Sequence, residues 1–127
     1  MKAASRARPG GRPAVRGRAG KAYEELDAVF GALSDPIRRA MVARLAQGEC
    51  SVTVLSRPFE VSAPAISKHL GVLERAGLID RRKTGRVRYC RLRLGPLEDA
   101  GGWIDQQRAF WEQQLGALDR FLREEGP

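Results

Sequence analysis

The chain is poor in the residues that build metal, redox and disulfide sites. Its 127 residues include two cysteines and one histidine, which are Cys50, Cys90 and His69. The cysteines stand alone, without a Cys-x-x-Cys spacing, and this favours a reducing compartment over a disulfide framework. A thiolate or imidazole metal site needs three or four converging ligands, so we expect neither a metal site nor a cofactor.

Long apolar runs and catalytic constellations are missing as well. No segment approaches the length that spans a bilayer, and the basic N-terminus lacks the apolar core of a secretory signal. We therefore expect a cytoplasmic protein with no membrane partner. Paired carboxylates, a nucleophile beside a histidine and a phosphate-binding loop do not occur in a plausible setting, so we expect that the protein is not an enzyme.

Positive charge is concentrated in two parts of the chain, whose formal net charge is +8. Residues 1–22 carry seven Lys or Arg and no acid. Because residues 1–21 offer almost nothing to bury, we predict a disordered basic arm there, which either contacts DNA or is a solvated tail or a mis-assigned start. Residues 80–93 carry seven cations and one acid, whereas residues 96–127 carry seven acids and three Arg. One end of the body is therefore suited to a polyanion.

Residues 22–124 are predicted to form one small domain, mainly helical with a β-hairpin. Three helices are expected in its first half, each from apolar periodicity and a capping residue. They are an amphipathic helix over 23–33, a helix begun by Asp35-Pro36 over 36–46, and a short helix capped by Ser51 over 51–57. The β-branched residues after Ser51 would also tolerate a strand.

The segment Val61–Ile79 determines the functional class. Ser62 is predicted to cap a fourth helix that Gly77 ends after Ala76, with Pro64 in its first turn. An apolar seam at helical spacing faces the core, formed by Ile66, Leu70 and Leu73. A basic hairpin follows, with strands over 78–83 and 86–94 joined by Thr84-Gly85.

Four helices, a hairpin and a final helix describe a winged helix-turn-helix, in which the third and fourth helices read DNA. Base reading needs small or hydrogen-bonding side chains, and phosphate contacts need cations. The expected DNA-binding residues are Ser62, Pro64, Ala65, Ser67, Lys68 and His69 on the reading helix, Arg57 ahead of it, and Arg82, Lys83, Arg86 and Arg88 on the wing. His69 has a second interpretation as a hydrogen-bonded structural residue, which we favour over a phosphate contact.

The last helix, predicted over about 97–124 after Gly95-Pro96, carries more apolar surface than a domain this small can cover. Part of that surface belongs to the core, and the rest predicts a C₂ homodimer through the first and last helices. Such a dimer places two reading helices about one DNA turn apart. The predicted dimerisation residues are Tyr23, Leu26, Phe30, Trp103, Ile104, Phe110, Trp111 and Leu118.

Three segments resemble the ArsR family of winged helix-turn-helix transcriptional repressors, and the resemblance extends from about Leu26 to Leu122. The segments are Phe30-Gly31-Ala32-Leu33-Ser34-Asp35-Pro36-Ile37-Arg38-Arg39, Ser62-Ala63-Pro64-Ala65-Ile66-Ser67-Lys68-His69-Leu70 and Leu73-Glu74-Arg75-Ala76-Gly77-Leu78-Ile79. The resemblance implies a homodimer that binds an operator and represses transcription until an inducer releases it.

The departures from the family pattern concern the inducer. Many members sense metals through a Cys-x-Cys in the third helix, where this chain has Ser51 and Thr53, or through Asp and His pairs on the last helix, which here has no His. The Phe110-Trp111-Glu112-Gln113-Gln114-Leu115 segment resembles a branch that lacks the metal motifs. We therefore expect a sequence-specific homodimeric repressor of a two-fold symmetric operator, without a metal inducer.

Three other functions stay open. The first is a repressor that senses oxidation through Cys50 and Cys90, although strand alternation points Cys90 inward with Leu92 and Leu94, and reactive thiols need exposed, cationic surroundings. The second is a general nucleic-acid coating protein driven by the basic arm. The third is a protein-interaction module whose winged fold has lost DNA binding.

Overall fold

Residues 17–125, which the computed structural model describes, form five helices and three short strands. The elements are α1 (Gly17–Ala32), α2 (Pro36–Leu45), β1 (Cys50–Ser51), α3 (Val52–Ser56), α4 (Ala63–Arg75), β2 (Ile79–Thr84), β3 (Val87–Leu92) and α5 (Leu94–Glu124). The predicted architecture, mainly helical with a small hairpin, is confirmed. None of the described helices is long and apolar enough to cross a bilayer.

Side-chain caps start three of these helices, as predicted. The Asp35 carboxylate accepts hydrogen bonds from two backbone N–H groups at the start of α2, at 2.9 and 3.1 Å. Ser51 Oγ accepts from the Val54 N–H at 3.2 Å, and Ser62 Oγ accepts from the Ala65 N–H at 3.2 Å. Each cap satisfies a donor that has no partner within its own helix.

Two helix starts differ from the prediction. Helix α1 begins at Gly17, so residues 17–21 are helical and do not belong to the predicted basic arm; residues 1–16 of that arm lie outside the described residues. Helix α5 begins at Leu94 and not near residue 97. Its first turn accommodates Pro96 because the first N–H groups of a helix have no partner within it. The predicted inward position of Leu94 is wrong, since its exposure is 59%.

The sheet has three antiparallel strands in the order β1-β3-β2, one more than the predicted hairpin. Strand β1 pairs with β3 so that Cys50 lies opposite Cys90. Strand β1 ends at Ser51, and the β-branched residues Val52, Thr53 and Val54 that follow it are helical, so the predicted third helix is found and a strand at those residues is not. The sheet thereby ties the start of the helix-turn-helix to the wing.

The hairpin turn lies one residue later than predicted. Thr84 and Val87 are opposite each other, so the loop consists of Gly85 and Arg86. Gly85 has φ of 62°, which a two-residue hairpin turn requires at its first central position. Arg86 therefore lies at the tip of the wing and not in a strand.

One core lies where α1, α2 and α4 meet the sheet. The predicted inward seam of α4 is confirmed, since Leu70 and Leu73 are essentially inaccessible and Ile66 is buried. The other buried hydrophobic residues are Val29, Ala32, Met41, Leu45, Cys50, Leu55, Leu78, Ile79, Cys90 and Ala100. This packing fixes which face of α4 remains outside.

Candidate nucleic-acid interface

The N-terminal turns of α4 carry small or polar side chains, and no acidic side chain offsets the positive charge there. Pro64, Ser67 and Lys68 are exposed and Ala65 is half-buried, so the predicted outward residues lie outside the core. The first turn of α4 carries no acidic side chain. The partial positive charge of the helix N-terminus is therefore available to an anion, and the small side chains let a backbone or base approach closely.

His69, a predicted DNA contact, points away from the exposed residues of α4. Its Nδ1 lies 3.1 Å from Arg38 Nη1 and 3.9 Å from Asp35 Oδ2, and its side chain is 17% exposed. Arg38 also donates to the carbonyl oxygens of Ala32 at 2.7 Å and Gly31 at 3.3 Å. His69 therefore joins the reading helix to the α1–α2 connection, as the structural interpretation expects.

Two cations of the wing stand directly opposite each other. Lys83 and Arg88 are partners across β2 and β3, and both are exposed. Because side chains alternate along a strand, they share a face with Cys90, which is buried under the helices. Within the described residues neither forms an ion pair. Like charges directly opposite are destabilising, so this pair favours a polyanion between the wing and α4.

Arg82, also a predicted contact, lies on the other face of the wing. Its guanidinium donates to both carboxylate oxygens of Glu49, at 3.0 and 3.1 Å, and to Thr84 Oγ1 at 2.7 Å. It also lies 5.0 Å from the centre of the Tyr89 ring. The hydrogen bonds to Glu49 raise the pKa of Arg82 above its usual value. Arg82 is therefore engaged in fixing the wing.

Arg81 is a structural contact that the sequence analysis missed. It donates from Nη2 and Nε to Glu74 Oε1, at 2.7 and 3.2 Å, and so links the wing to α4. No local signal identifies the pair, because the contact depends on how the hairpin folds back on the helix. It leaves Arg81 largely neutralised.

The remaining predicted cations are exposed and free of carboxylates. Arg57 lies at the end of α3, and Arg86 lies at the wing tip. Among the described residues neither forms an ion pair, and the same is true of Lys68. The phosphate-contact set, as we define it, consists of Arg57, Lys68, Lys83, Arg86 and Arg88.

The apolar face of α5 is a second exposed surface. Trp111 and Leu118 are exposed by 60% and 52%, and the predicted Ile104 and Phe110 are exposed as well. At the near end of this face, Trp103 packs edge-on against Phe30 of α1, with ring centres 5.8 Å apart. The two remaining predicted dimerisation residues differ in burial: Tyr23 is exposed, whereas Leu26 is half-buried and packs on the core. An apolar surface of this extent marks an interaction site.

The two cysteines are buried and face each other across β1 and β3. Cys90 is inaccessible, and its burial raises the pKa of the thiol to about 11. A thiol in this state is mostly protonated at neutral pH and reacts slowly. Among residues 20–125, no three His, Cys, Asp or Glu side chains lie close enough to hold a metal ion.

A capped reading helix, a basic wing and a three-stranded sheet in this order define a winged helix-turn-helix DNA-binding protein. Residues 33–82 match the family described as a helix-turn-helix domain. The HTH-type transcriptional regulator Rv2034 of Mycobacterium tuberculosis is 38% identical over 104 residues, which cover 82% of this chain and 94% of that protein. The transcriptional repressor SdpR of Bacillus subtilis is 34% identical over 76 residues, or 60% of this chain and 84% of the repressor.

A solved ArsR family transcriptional regulator has a TM-score of 0.68 and 39% identity, over 71% of this chain and 93% of its own. The chain belongs to the ArsR family of winged helix-turn-helix transcriptional regulators.

Proposed function

We propose that the protein is a homodimeric repressor that binds a two-fold symmetric operator and needs no metal for its release. The observation that carries this proposal is the shared orientation of two features. The N-terminal half of α4, at Ala63 and Ser67, and the unpaired Arg88 of the wing line the same cavity, and Lys83 lies opposite Arg88 in the hairpin. Together they form a surface for one DNA segment, with bases at the helix and phosphates at the wing.

The chemistry divides between reading and positioning. With α4 in the major groove, Ser62 and Ser67 offer hydroxyl groups to base edges, and Lys68 reaches a guanine or a phosphate. The phosphate-contact set holds the backbone on either side and supplies affinity without sequence preference. Each neutralised phosphate releases counterions, so affinity falls steeply with salt.

Dimerisation follows from the apolar face of α5. Isolated exposed apolar residues need no partner, but this helix exposes a row that includes Trp111, Leu115 and Phe121, each by more than half. A second copy packed on this row through a two-fold axis covers it and sets two reading helices at a fixed spacing. The relative named as a repressor supports repression as the outcome. Such a regulator acts in the cytoplasm and carries out no chemistry of its own.

Selection of binding sites from random duplex DNA with the full-length protein tests this proposal. The expected result is an enriched sequence with two-fold symmetry and half-sites about one helical turn apart. Lys68→Ala should weaken enrichment, whereas Arg123→Ala, a cation on α5 paired with Asp119, should not. An enriched site without symmetry would contradict the dimer, and no enrichment would contradict sequence-specific repression.

Deletion of residues 1–16 separates the repressor from a coating protein. A repressor keeps its preferred site with reduced affinity, because the reading helix lies in the described domain. A coating protein loses nearly all affinity and has no preferred site.

A further inference from the structure

A cavity of about 550 Å³ lies between α3, the leading half of α4 and the wing. Its walls are apolar where Val52, Phe59 and Val61 approach the inner side of α4. Val52 and Phe59 are half-buried, and Val61 is exposed by 37%. The volume falls in the range of small-molecule sites, which are mostly apolar with a few polar groups that orient the ligand.

The charged lining of this cavity has a single sign. Three arginines line it, Arg57, Arg81 and Arg88, and no lining residue is acidic. Glu74 neutralises Arg81 at 2.7 Å. Arg57 and Arg88 have no carboxylate partner among the described residues. An apolar pocket with two uncompensated guanidinium groups suits a molecule with an apolar body and one anionic end.

We propose that this cavity binds an amphipathic carboxylate, with the apolar body against Val52, Phe59 and Val61 and the carboxylate on Arg57 and Arg88. Guanidinium groups bind carboxylates through paired hydrogen bonds, and these strengthen beside an apolar wall that excludes water. The larger cavity of about 810 Å³ lies between α1, α5 and the end of α4 and has a mixed lining of four acids and three cations, which are Glu24, Glu25, Glu98 and Asp99 against Lys21, Arg75 and Arg93. Its acids make it less suited to an anion.

The position of the cavity gives ligand binding a regulatory effect. This inference rests on the proposed function. Arg57 and Arg88 belong to the phosphate-contact set, so a carboxylate bound to them competes with DNA phosphates. The ligand therefore acts as an inducer at the reading surface itself. This differs from an inducer that acts from a distant site, because binding of ligand and of DNA is mutually exclusive.

Calorimetry on the full-length protein without DNA tests the site independently of the proposed function. Octanoate is the probe, octanamide keeps the body without the charge, and acetate keeps the charge without the body. Octanoate should bind at least tenfold more tightly than either, since a charge-assisted hydrogen bond contributes about that factor. Equal binding of octanoate and octanamide would overturn the proposal.

Three variants locate the bound probe. Arg88→Gln should weaken octanoate about tenfold, and Thr53→Phe, which fills the cavity from α3, should abolish binding while both arginines remain. Arg91→Gln removes a cation from the same strand on the opposite face and should have no effect. Octanoate binding that survives Arg88→Gln and is lost in Trp103→Ala would place the ligand in the α1–α5 cavity and overturn the assignment.

The competitive step has its own readout. Octanoate should raise the apparent Kd for the selected operator in proportion to its concentration, and octanamide should not. If calorimetry shows that octanoate binds but operator affinity does not change, the inducer role is refuted and the ligand site is retained. Failure to bind any operator would refute the proposed function, and the DNA-free measurement would still decide the site.

Discussion

Arg38 Nη1 and His69 Nδ1 lie 3.1 Å apart and join α2 to the reading helix. A guanidinium only donates hydrogen bonds, so Nδ1 must accept, and neutral His69 carries its proton on Nε2. The same guanidinium donates to two carbonyls at the end of α1. One side chain therefore connects the helix that bears part of the predicted dimer surface to the helix that reads DNA.

Replacing Arg38 by leucine should destabilise the domain and disturb the reading helix. The loss leaves the Ala32 carbonyl without its donor, whereas the Gly31 carbonyl keeps the Ser34 N–H and hydroxyl. We therefore expect about 1–3 kcal/mol less free energy of unfolding in urea. Nitrogen-15 spectra should show His69 in the Nε2–H form in the wild type and a mixture in the variant. Arg39→Leu is the matched control, because Arg39 donates to a single exposed carbonyl. Equal losses in the two variants would contradict a special role for Arg38.

The Asp35 cap of α2 should make the free energy of unfolding fall in acid. The backbone N–H of Arg38 holds the pKa of Asp35 below its usual value of 3.8. The folded state therefore binds fewer protons than the unfolded state, and the stabilisation is present above pH 3.8 and lost as the pH falls through the lowered value. Asp35→Asn keeps a capping oxygen without a titration. The stability difference between wild type and variant should change as the pH falls below 3.8, and a constant difference would disprove the assignment.

Neutralising the wing cations should change DNA affinity and stability in opposite directions. Lys83→Gln or Arg88→Gln should each lower the salt dependence of operator binding by about one unit. Either change also removes the repulsion across the hairpin and should raise the free energy of unfolding by about 0.2–1 kcal/mol. Filter binding at several salt concentrations and urea unfolding measure the two effects.

Arg82→Gln provides the contrast to those variants. Because its partner is Glu49, we expect a loss of stability and a smaller change in the salt dependence. A salt effect as large as that of Arg88→Gln would show that Arg82 leaves Glu49 for a phosphate.

A charge on the exposed face of α5 should separate the subunits. Trp111→Glu places a carboxylate in the centre of the apolar row, and burying it in a dimer is unfavourable. Sedimentation should show a monomer, and affinity for the full operator should approach that for a half-site. Gln113→Glu adds the same charge to the same helix outside that row and should remain dimeric. Monomers in the wild type would contradict this interface.

The thiol of Cys90 should make the protein less stable in alkali and insensitive to peroxide. Its pKa of about 11, against 9.0 in an accessible thiol, means that the unfolded chain loses the proton first. The stabilisation is present below pH 9 and declines as the pH rises toward about 11. Cys90→Ala should reduce that decline relative to wild type. Release of operator by peroxide in the wild type, abolished in this variant, would revive the redox repressor.

Local signals in the sequence are sufficient to predict the reading helix α4. Ser62, the apolar seam and Gly77 all act within one or two helical turns, so the start, the buried face and the end of α4 follow from spacing alone. The hairpin was predictable for the same reason, apart from its turn. At Gly85 the one-residue difference moved Arg86 from a strand to the tip.

Contacts between segments that are distant in the sequence could not be predicted. Strand β1 has two residues, and it exists because Cys50 and Ser51 find partners in β3. The pairing of Arg82 with Glu49 joins residues 33 positions apart. Alternation along the strand separates Arg82 from Lys83. Without the strand register, however, neither the pairing of Lys83 with Arg88 nor the contact of Arg82 with Glu49 could be predicted.

The bracing of the wing by Glu49, Arg82 and Tyr89 has a kinetic consequence. A hairpin held in place before DNA arrives loses little conformational freedom on binding, so association needs no slow ordering step. The cations of the phosphate-contact set are unpaired, and we expect them to attract the duplex from a distance. Salt should therefore act mainly on the association rate, whereas the residence time on the operator should depend on the contacts of α4.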